Sequence, residues 1–86
     1  MDAFINVGYG NFVQTKRIIA VISPDSAPIK RLIQNQRDKV DLVDATFGRR
    51  TRSVLFLDNR QIVLSALQTE TMIARIQGMK PVAQEE

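Results

Sequence analysis

Residues 53–67 read SVLFLDNRQIVLSAL: two β-rich apolar runs, 53–57 and 61–67, held apart by Asp58, Asn59 and Arg60. A short polar group between two such runs is a hairpin signal, because Asp and Asn tolerate the positive φ that a tight reversal needs. The pair therefore predicts two antiparallel strands. Upstream, residues 17–22 (RIIAVI) form a nearly continuous apolar run of the kind found in strands buried on both faces. That pattern places this strand at the centre of the sheet. The run stops at residues 23–28 (SPDSAP), where Pro24 and Pro28 lack ladder donors and Ser23, Asp25 and Ser26 can cap a helix. Ile29, Leu32 and Ile33 then recur at i, i+3, i+4 among polar neighbours, which predicts an amphipathic helix ending near Lys39.

Residues 41–47 (DLVDATF) are a shorter extended segment leading to Gly48, the expected positive-φ position from which the basic run GRRTR, residues 48–52, departs. At the N-terminus, residues 3–7 (AFINV) read as a strand, residues 8–11 (GYGN) as a turn, and Phe12 and Val13 as the start of a second extended stretch. Downstream, Thr69 is placed to cap a last short helix carrying Met72, Ile73 and Ile76 on one face, with Gly78 and Pro81 marking its end. The order strand, strand, helix, strand, strand, strand, helix gives an α+β class: a small β-rich domain with mainly antiparallel strands, one amphipathic helix and a short C-terminal helix. Residues 1–78 are expected to form the single domain and residues 79–86 a flexible tail.

At 86 residues the chain holds one domain and exposes a large share of its surface, so apolar residues that miss the core are expected to be covered by another subunit. Its longest apolar runs fall far short of the roughly 20 residues a membrane helix needs, and the segment after Met1 carries Asp2 instead of a basic leader. A cytoplasmic location without membrane contact is the expectation. The sequence contains no Cys and no His, which removes disulfides, thiolate nucleophiles, imidazole bases and nearly every transition-metal site. Twelve Lys and Arg against nine Asp and Glu leave a net charge of +3. That excess is local: Arg49, Arg50 and Arg52 stand together without an intervening acid, whereas Arg37, Asp38, Lys39 and Asp41 balance one another.

The GRRTR run puts three guanidiniums on a connection between strands. Arginine suits phosphate because its planar, permanently charged fork donates two parallel hydrogen bonds, and the same fork matches the O6 and N7 edge of guanine. Nucleic acid is the favoured partner. The alternatives are ion pairs to Asp25, Asp44 or Asp58 of a neighbouring subunit, or an ordinary solvated surface. Lys16 and Arg17 at the start of the apolar strand gain meaning only if the fold brings them beside Arg49 and Arg50. Lys30 and Arg31 near a helix N-terminus oppose its dipole slightly and read as a solvated face.

The GYGN stretch lacks the lysine of a phosphate-binding loop and reads as a turn. Tyr9 and Phe12, which could stack on bases, are expected to serve as core. Asp41 and Asp44 alternate to opposite faces of a strand and cannot share a proton. Ser26 with Lys30 lacks an oxyanion hole. No enzyme activity, cofactor, metal or small-molecule substrate is expected.

The strings INVGYGNFV, KRIIAVISPDSAPIKRLI, DATFGRRTRSV and VLSALQTET resemble, from Phe4 to about Arg75, the RemA family of extracellular matrix regulatory proteins. The resemblance implies a DNA-binding transcriptional regulator of the biofilm-matrix type without catalytic activity. It also implies assembly into a ring-like homo-oligomer with duplex DNA at its rim. Family DNA-contact positions map onto Arg17, Arg49 and Arg50, and Pro28 falls at the start of the helix; Arg52 and Lys16, the latter a departure of this chain, are expected to support those contacts. Phe47 stands where tyrosine is usual before GRR. Two further readings stay open: a structural or adaptor oligomer whose arginines pair across subunits, and an RNA-binding module that stacks bases on Tyr9 or Phe12.

Overall fold

The computed structural model describes residues 3–36 and 41–78. Two strands, β1 (Phe4–Gly8) and β2 (Asn11–Gln14), form a separate hairpin, and a single 3-10 turn, Thr15–Arg17, leads into β3 (Ile18–Ile22). Helix α1 (Ala27–Gln36), β4 (Leu42–Asp44), β5 (Ser53–Leu57), β6 (Ile62–Ser65) and α2 (Thr69–Ile76) complete the order, so the α+β reading holds. The main sheet runs β3-β5-β6-β4. Its β3–β5 and β5–β6 pairs are antiparallel and β4–β6 is parallel.

Strict alternation along β5 and β6 builds two cores. Val54, Phe56, Ile62 and Leu64 point to one face, where Ile29, Leu32 and Ile33 of α1 cover them. Leu55, Leu57 and Val63 point to the other face, against Ile5 and Val7 of the hairpin, Leu67, and Met72 of α2. The two middle strands are thus buried on both sides. This corrects the placement of residues 17–22: β3 is an edge strand with a single neighbour, and its Ile19 is 69% exposed. An apolar run reports that a segment is extended and packs somewhere, but the number of strands flanking it is a property of the topology.

The amphipathic helix is as read, and its cap is Ser26, whose Oγ accepts from the Ile29 amide at 3.3 Å while its carbonyl takes the Lys30 amide at 3.1 Å. The expected end near Lys39 lies outside the described residues, as does the expected flexible tail. In α2 the N-cap is Gln68 and not Thr69, and no side chain closes the cap. Thr69 is the first helical residue and donates from Oγ1 to Glu70. Of the three apolar residues expected on one face of α2, Met72 is fully buried and Ile76 packs against the core, but Ile73 is exposed. Positions 72 and 76 lie a turn apart, whereas 73 is rotated by about 100° away from Met72.

The hairpin is fastened to the sheet through Ser65. Its buried hydroxyl donates to the Val7 carbonyl at 2.7 Å and accepts the Leu67 amide at 3.0 Å. Ser65→Ala strands two buried backbone groups and is expected to cost about 2–4 kcal/mol. The Ser53 hydroxyl, equally buried, has no partner among the described residues. Ser53→Ala is therefore expected to leave stability within about 0.5 kcal/mol or raise it. Urea titration of the two variants side by side checks both.

Candidate nucleic-acid interface

The fold explains why the arginines project. After β3 the chain crosses one face of the sheet as α1 and returns as β4 at the opposite edge. To insert β5 next to β3, residues 45–52 must then step over the end of β6, which lies between β4 and β5. Both ends of that crossing are pinned to β6, by the Ala45 amide on the Leu64 carbonyl at 2.9 Å and the Arg52 amide on the Ser65 carbonyl at 2.8 Å. What lies between the pins must bow outward. The bow is stiffened from within: Asp44 Oδ1 accepts from the Thr46 amide at 2.9 Å and from Thr46 Oγ1 at 2.6 Å, and the Arg49 amide donates to the Thr46 carbonyl at 3.0 Å.

At the crest, Gly48 has φ +79 as the sequence indicates, and Phe47 before it also adopts positive φ, at +55. Arg49, Arg50 and Arg52 are all exposed. Among the described residues none of their side chains makes a hydrogen bond or ion pair. Arg50 and Arg52 border a polar recess of ≈ 330 Å³ whose other walls are Asp25 and the first turn of α2, including Glu70. This end of the sheet therefore holds three exposed guanidiniums on a loop pinned at both ends, none bonded directly to another described side chain.

Arg17 is elsewhere. It sits at the foot of β3, where its carbonyl accepts the Asp58 amide at 2.9 Å, beside the β5–β6 hairpin. Because β3 and β5 are antiparallel, this is the far end of β5 from Arg52, roughly 20 Å away along the strand. The fold does not bring Lys16 and Arg17 beside Arg49 and Arg50 within one chain. The Arg17 guanidinium donates to Gln14 Oε1 at 3.0 Å and forms an ion pair with Asp58 at 3.3 Å, with both partners about half exposed. Asp58, one of the carboxylates that could pair with the GRRTR cluster across subunits, is thus engaged by Arg17 of its own chain.

Tyr9 and Phe12, which the sequence assigns to the core, are exposed instead, Phe12 at 61%. The GYGN segment is the turn that the sequence indicates, and it turns through Gly8, Tyr9 and Gly10, all at positive φ. That places Tyr9 on the outside, where its ring stacks on Phe47 with centroids 5.2 Å apart. No sequence signal in either segment announces this contact, since 38 positions separate them. Among the described residues, no group of three or more acidic side chains gathers as a metal site. None of their helices is long and apolar enough to cross a membrane.

Residues 4–76 match the model of the RemA-like family, described as "Extracellular matrix regulatory protein A-like". The chain belongs to the RemA-like family. It is 53% identical over 85 residues to a protein of Geobacillus thermodenitrificans, covering 99% of this chain and 98% of that one. A Moorella thermoacetica protein is 52% identical over 82 residues, covering 95% and 90%. A Dictyoglomus turgidum protein is 58% identical over 74 residues, covering 86% and 87%. Each of the three is named "Putative regulatory protein". The RemA-like match spans all the elements from β1 to α2 and includes the whole crossing loop.

Proposed function

We propose that this RemA-like chain is a non-enzymatic transcriptional regulator of extracellular-matrix genes that works in the cytoplasm as a ring-like homo-oligomer on duplex DNA. Arg49, Arg50 and Arg17 contact the DNA backbone, supported by Arg52 and Lys16. The observation that carries this reading is the crossing loop, pinned at both ends to β6 and presenting three exposed guanidiniums. A fixed cationic bow meets phosphates without first having to be ordered, and three such contacts in one small domain bind weakly at physiological salt unless symmetry repeats them. The distance between Arg17 and Arg49 fits the same account: a continuous basic track requires the foot of one protomer to neighbour the crest of the next. Phe4, Phe12 and Ile19, all exposed, supply apolar surface for such neighbours.

Contacts of this kind are chiefly to phosphate, so sequence preference arises from the deformability of the DNA more than from base edges. The reading is tested by anisotropy titration of duplex DNA, single strands and RNA over a salt series, with light scattering on the free protein. Duplex preference, a steep salt slope and a mass several times that of one chain are expected. Equal affinity for single strands or RNA would favour the RNA-binding reading. Loss of assembly on Arg49→Ala would favour the adaptor reading.

The Arg17–Asp58 pair makes a separate prediction. Asp58→Asn removes a negative charge beside a proposed phosphate contact and releases Arg17 from its tether. Duplex affinity is expected to rise by about three- to tenfold with a steeper salt slope. Because the pair is half exposed, thermal stability is expected to change by less than about 1 kcal/mol.

A further inference from the structure

Phe47 is the most exposed large apolar side chain among the described residues, at 78%, and its backbone holds φ +55, a region that residues other than glycine, Asn and Asp seldom occupy. Tyr9, at the tip of a different turn, holds the same φ of +55. Two strained turns thus converge to stack two rings 5.2 Å apart with 25° between their planes. Strain kept at an exposed position is a mark of function, because folding alone gains nothing from displaying a ring to water. Gly48, Arg49 and Arg50 follow Phe47 directly, so the displayed ring and the two cations share one rigid crest.

We infer that Phe47, braced by Tyr9, is an apolar wedge that presses into a base step of duplex DNA while Arg49 and Arg50 hold the flanking phosphates. The inference rests on the proposed DNA binding and assigns the residue that deforms the duplex. Charge complementarity selects the occupant: an exposed apolar ring followed in the same loop by two exposed guanidiniums suits a surface that is flat and apolar where the ring meets it and anionic alongside. A base step between two phosphates has that pattern. Side chains inserted in this way unstack the step and kink the helix, most readily at pyrimidine–purine steps such as TA. The Tyr9 ring behind Phe47 keeps the wedge from folding back when it is loaded.

The test uses the full chain and a duplex of about 40 base pairs of alternating dA and dT carrying 2-aminopurine at regular intervals, so that every binding register places a reporter near a TA step. Wild-type protein is expected to raise 2-aminopurine fluorescence on binding. Phe47→Ala is expected to lose that rise and to bind roughly tenfold more weakly, with the salt slope unchanged because no phosphate contact is removed. Phe47→Asn, which accepts the positive φ, keeps the loop conformation and is expected to behave the same way. Phe47→Tyr is expected to retain the rise. Arg50→Ala is expected to flatten the salt slope and yet retain the rise at saturation.

A full fluorescence rise with Phe47→Asn would overturn the wedge. So would a salt slope that falls with that variant, which would make Phe47 a positioning residue for the arginines. A smaller assembly on light scattering would instead make it a contact between subunits. Binding by wild type without any rise would sink the wedge and leave the DNA-binding reading intact, whereas no preference for duplex would sink both.

Discussion

Alanine at both Arg49 and Arg50 is expected to lower duplex affinity at least about a hundredfold near physiological salt and to flatten the salt dependence. Each phosphate neutralised by a guanidinium releases condensed counterions, so each arginine–phosphate pair that is abolished takes about 0.9 from the slope of log K against log salt. Two arginines per protomer are removed, and in an assembly that engages several protomers these decrements accumulate. The fold is expected to survive unchanged, since both side chains are exposed and neither bonds to another described residue. A change in stability within about 0.5 kcal/mol is the expectation. Anisotropy across salt, together with thermal melting and light scattering, separates the outcomes. Full-strength binding by the double variant would remove the crossing loop from the interface. Arg52→Ala is expected to have a smaller effect, because Arg52 sits at the pinned end of the bow, one residue before β5, and not at its crest.

Leu64→Ala is expected to have the largest effect on stability, about 3–4 kcal/mol. Leu64 is fully buried in β6 and packs with Val54, Ile62 and Ile33 beneath α1. Removing most of its side chain forfeits transfer free energy and leaves a cavity between a sheet and a helix that cannot close over it, because β6 is hydrogen-bonded on both sides. A domain of this size has only about 5–15 kcal/mol in total, so the melting temperature is expected to fall by roughly 12–30 °C. Protomer concentration must be held constant in the comparison, since assembly adds to apparent stability. Ile19→Ala, on the exposed side of the edge strand, is the control: its monomer stability is expected to change by less than about 0.5 kcal/mol. A Leu64→Ala melt matching wild type would mean that the α1 face is not a packed core.

Much of the architecture is legible in the amino-acid order. The SVLFL and IVLS runs around Asp58-Asn59-Arg60 give the central hairpin, and their alternating residues do divide between the two faces. The 29, 32, 33 spacing gives the buried stripe of α1, and Gly48 marks the reversal from which the arginines depart. Less is legible in the strand Ile18–Ile22, whose composition matches that of the buried strands although it lies at the edge. The Arg17–Asp58 pair spans 41 positions, and nothing local to either residue announces it.

The sequence by itself determined where the chain is extended, where it turns, which helix face is apolar, and that three arginines share one connection. These follow from side-chain volume, β-branching, glycine and charge density, which act over a few residues. Only the tertiary structure decided that β5 and β6 are the central strands, that the connection must arch over β6, that Tyr9 and Phe47 meet, and that Arg17 stands at the opposite end of the sheet. Burial on both faces depends on how many neighbours a strand acquires, and the meeting of distant loops depends on the order of strands in the sheet. Periodicity fixes a residue's face, and it is silent about which elements come to cover it.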